Sequence, residues 1–239
     1  MSQQHIVIIG GSSGIGLATA CQLLGLGHKV TIAGRNSTRL EAAEKSLTGD
    51  VHALMVDAVN EKNLREAFLQ IGNFDHLVLA LGSSKGGGSF TSVSLDDVKA
   101  GFEEKFYAHF AAAQTAIPHL RRDGSLTFVS AVSAHAAMPG TSGIGAANAA
   151  VAALVPILAS ELRPLRVNGV SPGVIDTPWW DFISGEDKSR VFDDYAKKTP
   201  VGRVGSPDDI AGTIGFLIAN TFISGQTIIC DGGLQLGAG

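Results

Sequence analysis

Short apolar runs alternate with longer helix-like segments along almost the whole chain. The first four runs, HIVIIG, KVTIAG, VHALMVD and DHLVLALG, are short enough for strands and apolar enough to be buried on both faces. The segments after them predict helices over about Ile15 to Leu26, Ser37 to Leu47, Glu61 to Ile71 and Leu95 to Leu120. Because buried strands joined by helices form parallel sheets with right-handed crossovers, the pattern predicts a doubly wound α/β fold.

The second half of the chain continues the alternation. It predicts strands at SLTFVSA, RVNGVS and QTIICDGG, and helices over about Gly143 to Leu162 and Pro207 to Ala219. Only residues from about 176 to 200 are expected to be irregular. A chain of 239 residues is long enough to bury a large core, and we expect one domain spanning residues 1–239.

Composition narrows the possible partners. The net charge is −4 and the basic residues are dispersed, so nucleic-acid binding is not expected. Apolar runs are interrupted by glycine, serine or charge, so no membrane span is expected, and the N-terminus lacks the basic segment of an export signal. Cys21 and Cys230 lack metal-ligand spacing and are expected to be free thiols in the cytoplasm.

A glycine-rich turn, IIGGSSGIGLATA, lies between the first strand and the first helix. Gly10 permits a tight turn, Gly14 lets the backbone approach a pyrophosphate, and Gly16 allows close helix-to-strand packing. The amides at the helix N-terminus would hold the anion. The turn predicts a dinucleotide site, and an unliganded strand-to-helix turn is the alternative.

The second strand ends in AGRN, and this ending bears on the choice of cofactor. A site for NAD usually has Asp or Glu here to bind the ribose 2′-hydroxyl, whereas Arg35 offers a guanidinium to a 2′-phosphate. Ser12 and Ser13 add hydroxyl groups to the same region. We therefore expect NADP(H), with a solvated surface arginine as the alternative.

Together these features resemble the short-chain dehydrogenase/reductase family. The resemblance also rests on Asp57 in VDAVN, on VNGVSPGVIDTP, and on GRVGSPDDIAGTIGFLIANTFISGQTIICDGG near the C-terminus. It implies a Rossmann-like fold with seven parallel strands, a nicotinamide cofactor, hydride transfer to or from a carbonyl or alcohol carbon, and a homodimer or homotetramer. The cofactor contacts it implies are Gly10, Ser12, Ser13, Gly14, Ile15, Gly16, Arg35, Asp57, Gly82, Pro172, Gly173 and Thr177.

The catalytic tetrad usual in that family is missing from this chain. Matching to the family pattern puts Ala131 at the Ser position, Ile144 at the Tyr position, Asn148 at the Lys position and Lys105 at the Asn position. The loss does not depend on the register. The chain has no Tyr between Tyr107 and Tyr195 and no Lys between Lys105 and Lys188, so a Tyr-x-x-x-Lys motif fits nowhere on this helix.

Lys105 and Asn148 are exchanged relative to the family pattern, and this exchange suggests how the missing catalytic groups could be replaced. We expect Lys105 to return an ammonium group to the site, with Asn148 as its hydrogen-bonding counterpart, and to act as an unusual proton donor if burial lowers its pKa. Ser133 is the candidate hydroxyl for a substrate oxygen. The alternatives are a lysine that reaches solvent and a serine that satisfies nearby backbone groups.

Aromatic residues are concentrated in the segment DTPWWDFISGEDKSRVFDDYAKKTP. We interpret residues 176–200 as a lid over an apolar or ring-bearing substrate, with a subunit contact as the alternative. The main functional hypothesis is an NADP(H)-dependent oxidoreductase. A non-catalytic NADP(H)-binding sensor or partner subunit is the alternative, and lyase or isomerase chemistry on the same scaffold is a third.

Overall fold

The computed structural model describes residues 3–237. Its centre is a seven-stranded, fully parallel sheet in the order β3-β2-β1-β4-β5-β6-β7, which confirms the predicted fold class. The strands are β1 His5–Ile9, β2 Lys29–Gly34, β3 Val51–Met55, β4 Phe74–Leu79, β5 Leu120–Val129, β6 Arg166–Pro172 and β7 Thr227–Cys230.

Helices cover both faces of the sheet. They are α1 Gly14–Gly25, α2 Ser37–Ser46, α3 Glu61–Ile71, α4 Leu95–Phe102, α5 Ala108–Ala116, α6 Ser142–Glu161, α7 Gly185–Lys198 and α8 Pro207–Ala219. Most predicted helices lie within a residue of these bounds, because the strands between them are uniformly apolar and the turns carry glycine or a capping residue.

Alternate residues of the strands feed two separate cores. Val7 and Ile9 of β1 point to the face that packs with Phe68 of α3. Ile6 and Ile8 point to the opposite face, where α1 and α8 cover the sheet. A strand buried on both sides is therefore apolar throughout, which explains the continuous runs in the sequence.

The long helix predicted over Leu95 to Leu120 is interrupted. A π-helical turn, Glu103–Tyr107, separates α4 from α5, and a 3-10 turn, Ile117–His119, precedes β5. A π turn inserts one extra residue into the helix and so shifts the side chains that follow it. The wider turn contains Lys105, whose side chain is buried.

The segment expected to be irregular contains a helix, so that expectation is wrong. Helix α7 is 14 residues long and begins after Ser184, whose side chain accepts a hydrogen bond from the backbone N–H of Asp187. This serine cap and the acidic first turn are ordinary helix-start signals. Only the 3-10 turn Pro178–Trp180 and its flanks lack longer regular structure.

Helix α6 corrects the expectation that every apolar run is too interrupted to reach the length of a membrane span. By length and composition alone, its 20 residues could cross a bilayer. In the fold, 39% of its most apolar 18-residue stretch is buried. The helix packs against β6 and against the turn that follows β5. This is the position of a covering helix in a doubly wound sheet.

The strand order reverses between β1 and β4, which are neighbours in space but not in sequence. In open α/β sheets, ligands bind in the crevice outside the carboxyl ends of the strands at such a switch point. The loops after β1 and β4 form the two walls of this crevice, which we call the switch-point crevice.

Candidate cofactor and active site

The glycine turn after β1 leaves no room for a side chain at Gly10 or at Gly16. Gly10 has φ +90°, and a Cβ atom there would collide with the carbonyl oxygen of Ala80. A Cβ atom on Gly16 would collide with the carbonyl oxygen of Gly10. Gly14, with φ +52°, begins α1. The backbone therefore needs glycine here to bring the start of α1 close to the sheet.

The start of α1 suits a bound anion. Ser13 precedes the helix in an extended conformation without a side-chain cap, and the first turn contains no acidic residue. The backbone N–H groups at the N-terminus of a helix carry partial positive charge and point out beyond the helix end. Together with the half-buried Ile15 and Ser12, this end of α1 fits the pyrophosphate of a dinucleotide.

Arg35 lies next to the same turn. It follows Gly34, the last residue of β2, and a Cβ atom on Gly34 would be 3.3 Å from the Oγ of Ser12. The exposed arginine lines a cavity of about 360 Å³ together with Met55, Asp57, Asn60, Lys62, Asn63 and Glu66. Arg35 makes no ion pair within residues 3–237. Its guanidinium group is therefore available to a ligand.

Asp57 is held in place at the edge of this cavity. Its backbone N–H donates to Oδ1 of Asn63 at 2.7 Å, and its own Oδ1 accepts a bond from the N–H of Val59 at 3.3 Å. Asn60 caps α3 by accepting from the N–H of Asn63. Asn60 and Asn63 are not identified from the sequence as part of a site, because an Asn at the start of a helix is most simply interpreted as a helix cap.

The segment after β6 reaches both walls of the switch-point crevice. Pro172 ends β6, and a Cβ atom on Gly173 would lie 2.7 Å from the Cα of Asp231. Farther along, the Cγ2 of Thr177 lies 3.2 Å from the Cβ position of Gly14. Trp179 lies against Gly82 on the other wall, with Cδ1 3.7 Å from that glycine's Cβ position.

Apolar side chains occupy two of the positions that the family resemblance matches to catalytic residues. Ala131 is half-buried and precedes the 3-10 turn Val132–Ala134. The backbone N–H of Ile144, in the first turn of α6, donates to the carbonyl oxygen of Gly86 at 3.0 Å. Neither side chain carries a titratable group, so neither position can exchange a proton.

Lys105 is buried, with 4% of its surface exposed, and it ties two strand ends together. Its Nζ donates to the carbonyl oxygens of Leu81 at 2.7 Å and Val129 at 2.8 Å. The direct bond expected between Lys105 and Asn148 is not formed, because these closer backbone acceptors take the ammonium protons. Burial lowers the pKa of Lys105 to about 7, so the amine can change charge near neutral pH.

His109 packs one helical turn beyond Lys105 and is also buried. Its Nδ1 lies 2.6 Å from the carbonyl oxygen of Lys105, and its Nε2 lies 3.2 Å from that of Leu79. Burial, and then the nearby charge of Lys105, lowers the pKa of His109 to about 3. The imidazole is therefore neutral at physiological pH and donates to only one of the two carbonyls.

Asn148 pairs with Ser133 instead of Lys105. Its Nδ2 donates to the Oγ of Ser133 at 3.2 Å and to the carbonyl oxygen of Ile144 at 3.0 Å. These two bonds fix the orientation of the amide and leave the buried Oδ1 without a partner. Because the Ser133 oxygen accepts from Asn148, its own proton is free to be donated elsewhere.

Ser133 also lines a shallow cavity of about 420 Å³ beside the start of α6. The lining contains no charged side chain: Phe90, Ser133, Ala136, Ala137, Met138, Pro139, Gly140, Thr141, Ser142, Gly145 and Ala146. The hydroxyl of Ser130, the residue after β5, instead donates to the carbonyl oxygen of Val170 on β6 at 3.4 Å. Ser133 lies in the 3-10 turn Val132–Ala134 and not on the strand, so the two serines face different groups.

Comparison with known proteins identifies the family. Residues 10–235 match the family described as "Enoyl-(Acyl carrier protein) reductase". The chain is 31% identical to "Dehydrogenase/reductase SDR family member 4" of Caenorhabditis elegans, covering 96% of this chain and 94% of that protein. It is 29% identical to "3-oxoacyl-[acyl-carrier-protein] reductase FabG" of Rickettsia bellii, covering 99% and 98%.

Solved structures give the same result. A small-chain dehydrogenase in complex with NADPH is 31% identical, has a TM-score of 0.84, and matches 98% of this chain and 100% of its own. The MalC Reductase/Diels-Alderase from Malbranchea aurantiaca is 27% identical, has a TM-score of 0.89, and matches 99% and 97%. With this sheet, this glycine turn and these relatives, the chain belongs to the short-chain dehydrogenase/reductase family.

Proposed function

We propose that the protein is an NADP(H)-dependent oxidoreductase that acts on a carbonyl or alcohol carbon without a catalytic phenol. One observation carries the proposal: a serine hydroxyl held by Asn148 lies on the wall of an uncharged cavity beyond the carboxyl end of β5. Reductases and dehydrogenases among the relatives support the reaction class.

The choice of NADP(H) over NAD(H) rests on the end of β2. Gly34 offers no carboxylate to a ribose 2′-hydroxyl, and Arg35 beside it has no ion-pair partner among the described residues. A guanidinium binds a phosphate through paired, charge-assisted hydrogen bonds. The NADPH-bound relative is consistent with this preference.

The bound nicotinamide would supply or accept the hydride. Ser133 would donate its free proton as a hydrogen bond to the substrate oxygen, and Asn148 keeps the hydroxyl in that orientation by donating to its oxygen. Such a bond is strongest when negative charge develops on the oxygen, and therefore stabilises the transition state of carbonyl reduction.

Lys105 is the proposed source of the proton that the phenol would otherwise supply. Its pKa of about 7 lets it release a proton at neutral pH, and its bonds to Leu81 and Val129 keep the amine at the ends of β4 and β5. Proton transfer works best when the pKa of the donor lies near the working pH.

A second function, NADP(H) binding without turnover, is favoured by a specific observation. Lys105 is nearly inaccessible to solvent, and its amine donates to two backbone carbonyls. A lysine with a purely structural role, joining the ends of β4 and β5, would have the same arrangement. In that case the protein would act as a sensor or a partner subunit, and the loss of the tetrad would not affect its activity.

Nucleotide titration of the purified protein tests the cofactor assignment, and oxidation of NADPH across a panel of uncharged ketones and aldehydes tests the reaction. We expect NADPH to bind more tightly than NADH. Substituting Arg35→Ala should weaken NADPH binding by roughly 10- to 100-fold and leave NADH binding nearly unchanged, because one charge-assisted contact is lost.

Arg39→Ala is the matched control, since Arg39 is an exposed arginine one turn into α2. Equal losses of NADPH affinity in the two variants would contradict the assignment of Arg35. Tight NADPH binding with no oxidation on any carbonyl compound would favour the binding-only function.

A further inference from the structure

The three residues 177–179, which we call the strap, run from one wall of the switch-point crevice to the other. At one end, Cγ2 of Thr177 lies 3.2 Å and Cδ of Pro178 lies 3.9 Å from the position that a Cβ atom on Gly14 would take, at the start of α1. At the other end, the indole of Trp179 packs on Gly82, beyond the end of β4. The strap therefore crosses the place where the fold binds its dinucleotide.

A single directional bond holds the far end of the strap. Trp179 Nε1 donates to the carbonyl oxygen of Ser83 at 2.9 Å. Ser83 is itself fixed, since its hydroxyl donates to Oε2 of Glu104 at 2.8 Å and accepts from the backbone N–H of Lys85 at 3.0 Å. The acceptor is thus held rigidly, while its donor lies on the short turn before α7.

The residues that flank the strap on both sides are anchored within their own segment. Trp180 Nε1 donates to the carbonyl oxygen of Ile175 at 3.0 Å, and its ring packs with Phe192 and Tyr195 of α7. Asp176 also pairs with Lys188 of α7 at 2.8 Å. None of these contacts crosses the crevice, so they do not oppose its opening.

We propose that Trp179 is the latch of a cofactor gate: its bond to Ser83 must break for a nicotinamide dinucleotide to enter or leave the switch-point crevice. The proposal rests on nucleotide binding at the glycine turn. It adds that the strap limits the rates of binding and release, because Trp179 bonds the strap to the second wall of the crevice.

The gate predicts a kinetic effect with little change in affinity. Trp179→Phe keeps an aromatic ring and removes the indole N–H, so the closed strap loses one neutral hydrogen bond. Stopped-flow measurement of NADPH fluorescence should show association and dissociation rates that both rise by roughly three- to tenfold, with a dissociation constant changed less than about threefold.

Trp180→Phe is the matched control, because it keeps an aromatic ring beside Trp179, whose ring centroid lies 4.8 Å away, and removes an indole N–H that bonds within the segment and not across the crevice. Its rates should equal those of the wild type. Unchanged rates in Trp179→Phe, or a rise in dissociation alone with a matching loss of affinity, would overturn the gate. Failure of the wild type to bind NADPH at all would instead overturn the proposed function.

Hydrogen exchange of residues 175–183, followed by mass spectrometry, provides a readout that does not depend on binding rates. Without nucleotide, Trp179→Phe should exchange faster than wild type in this segment and at Gly82 and Ser83, and identically elsewhere. Trp180→Phe should not accelerate exchange at Gly82 and Ser83. Exchange at the strap that is the same in wild type and Trp179→Phe would contradict the latch.

Discussion

At the scale of single residues, Lys105 and Asn148 have new partners and not merely exchanged places. The amine joins the ends of β4 and β5, and the amide holds Ser133. The family pattern identifies both positions, but it does not predict the groups with which their side chains form hydrogen bonds. Which acceptor a side chain reaches depends on the π turn around Lys105 and on the 3-10 turn that carries Ser133.

The buried amine of Lys105 makes stability depend on pH. Its pKa is about 7 in the folded protein and 10.5 for the ordinary side chain, so unfolding takes up a proton between these values. The unfolded state binds more protons there, and the free energy of unfolding therefore rises with pH through that window. Below about pH 7 both states are protonated, and the cost of the buried charge is constant.

Substituting Lys105→Met should remove this dependence. Urea unfolding at pH 7 and pH 9 should show the wild type gaining stability relative to the variant by on the order of 1–2 kcal/mol as the pH rises. The variant also leaves two buried carbonyls without a donor, which should lower its stability at both pH values. A stability difference that stays constant between the two pH values would contradict a depressed pKa.

At the scale of elements, the sequence predicts most helices and strands but misplaces their interruptions. The glycine turn, the ends of β2 and β6 and the position of α6 follow from apolar runs and turn residues. The π turn and the strap do not, because tertiary contacts such as that between Trp179 and Ser83 determine them. Helix α7 was missed although Ser184 and its acidic first turn mark its start.

Helix α6 also bears on assembly. It is strongly apolar, yet much of it is not buried within the chain, and Ile157 is 57% exposed on its surface. Tyr107 and Phe110, in and after the π turn, are exposed large hydrophobic residues as well. Apolar surface of this kind is usually covered by a partner, which supports the homodimer or homotetramer that the family resemblance implies.

A charge on that helix should disrupt the assembly. Ile157→Lys should shift the mass measured by light scattering from that of a dimer or tetramer towards that of a monomer, because an unpaired lysine would be buried at the contact. Leu69→Lys, at a residue 72% exposed on α3, is the control and should keep the wild-type mass. A wild type that is monomeric at micromolar concentration would contradict the predicted assembly.

At the scale of the whole molecule, the sheet brings separate parts of the sequence to one edge. The turn after β1, Arg35 after β2, Ser83 after β4 and Ser133 after β5 all lie beyond carboxyl ends of parallel strands. The fold can therefore keep its dinucleotide crevice while the residues around the reacting carbon change. In the proposed function, the cofactor features are kept and the tetrad is replaced, so the chemistry would depend on the Ser133 hydroxyl and the residues around it.

Hydride transfer from labelled cofactor tests the central claim most directly. NADPH deuterated at the transferable position is incubated with the protein and uncharged carbonyl compounds, and the alcohol products are analysed by mass spectrometry. The account predicts an alcohol carrying one deuterium, formed by wild type and Ser130→Ala, and formed roughly 10- to 1000-fold more slowly by Ser133→Ala. A protein that binds NADPH but yields no labelled alcohol, or a Ser133→Ala variant as fast as wild type, would contradict it.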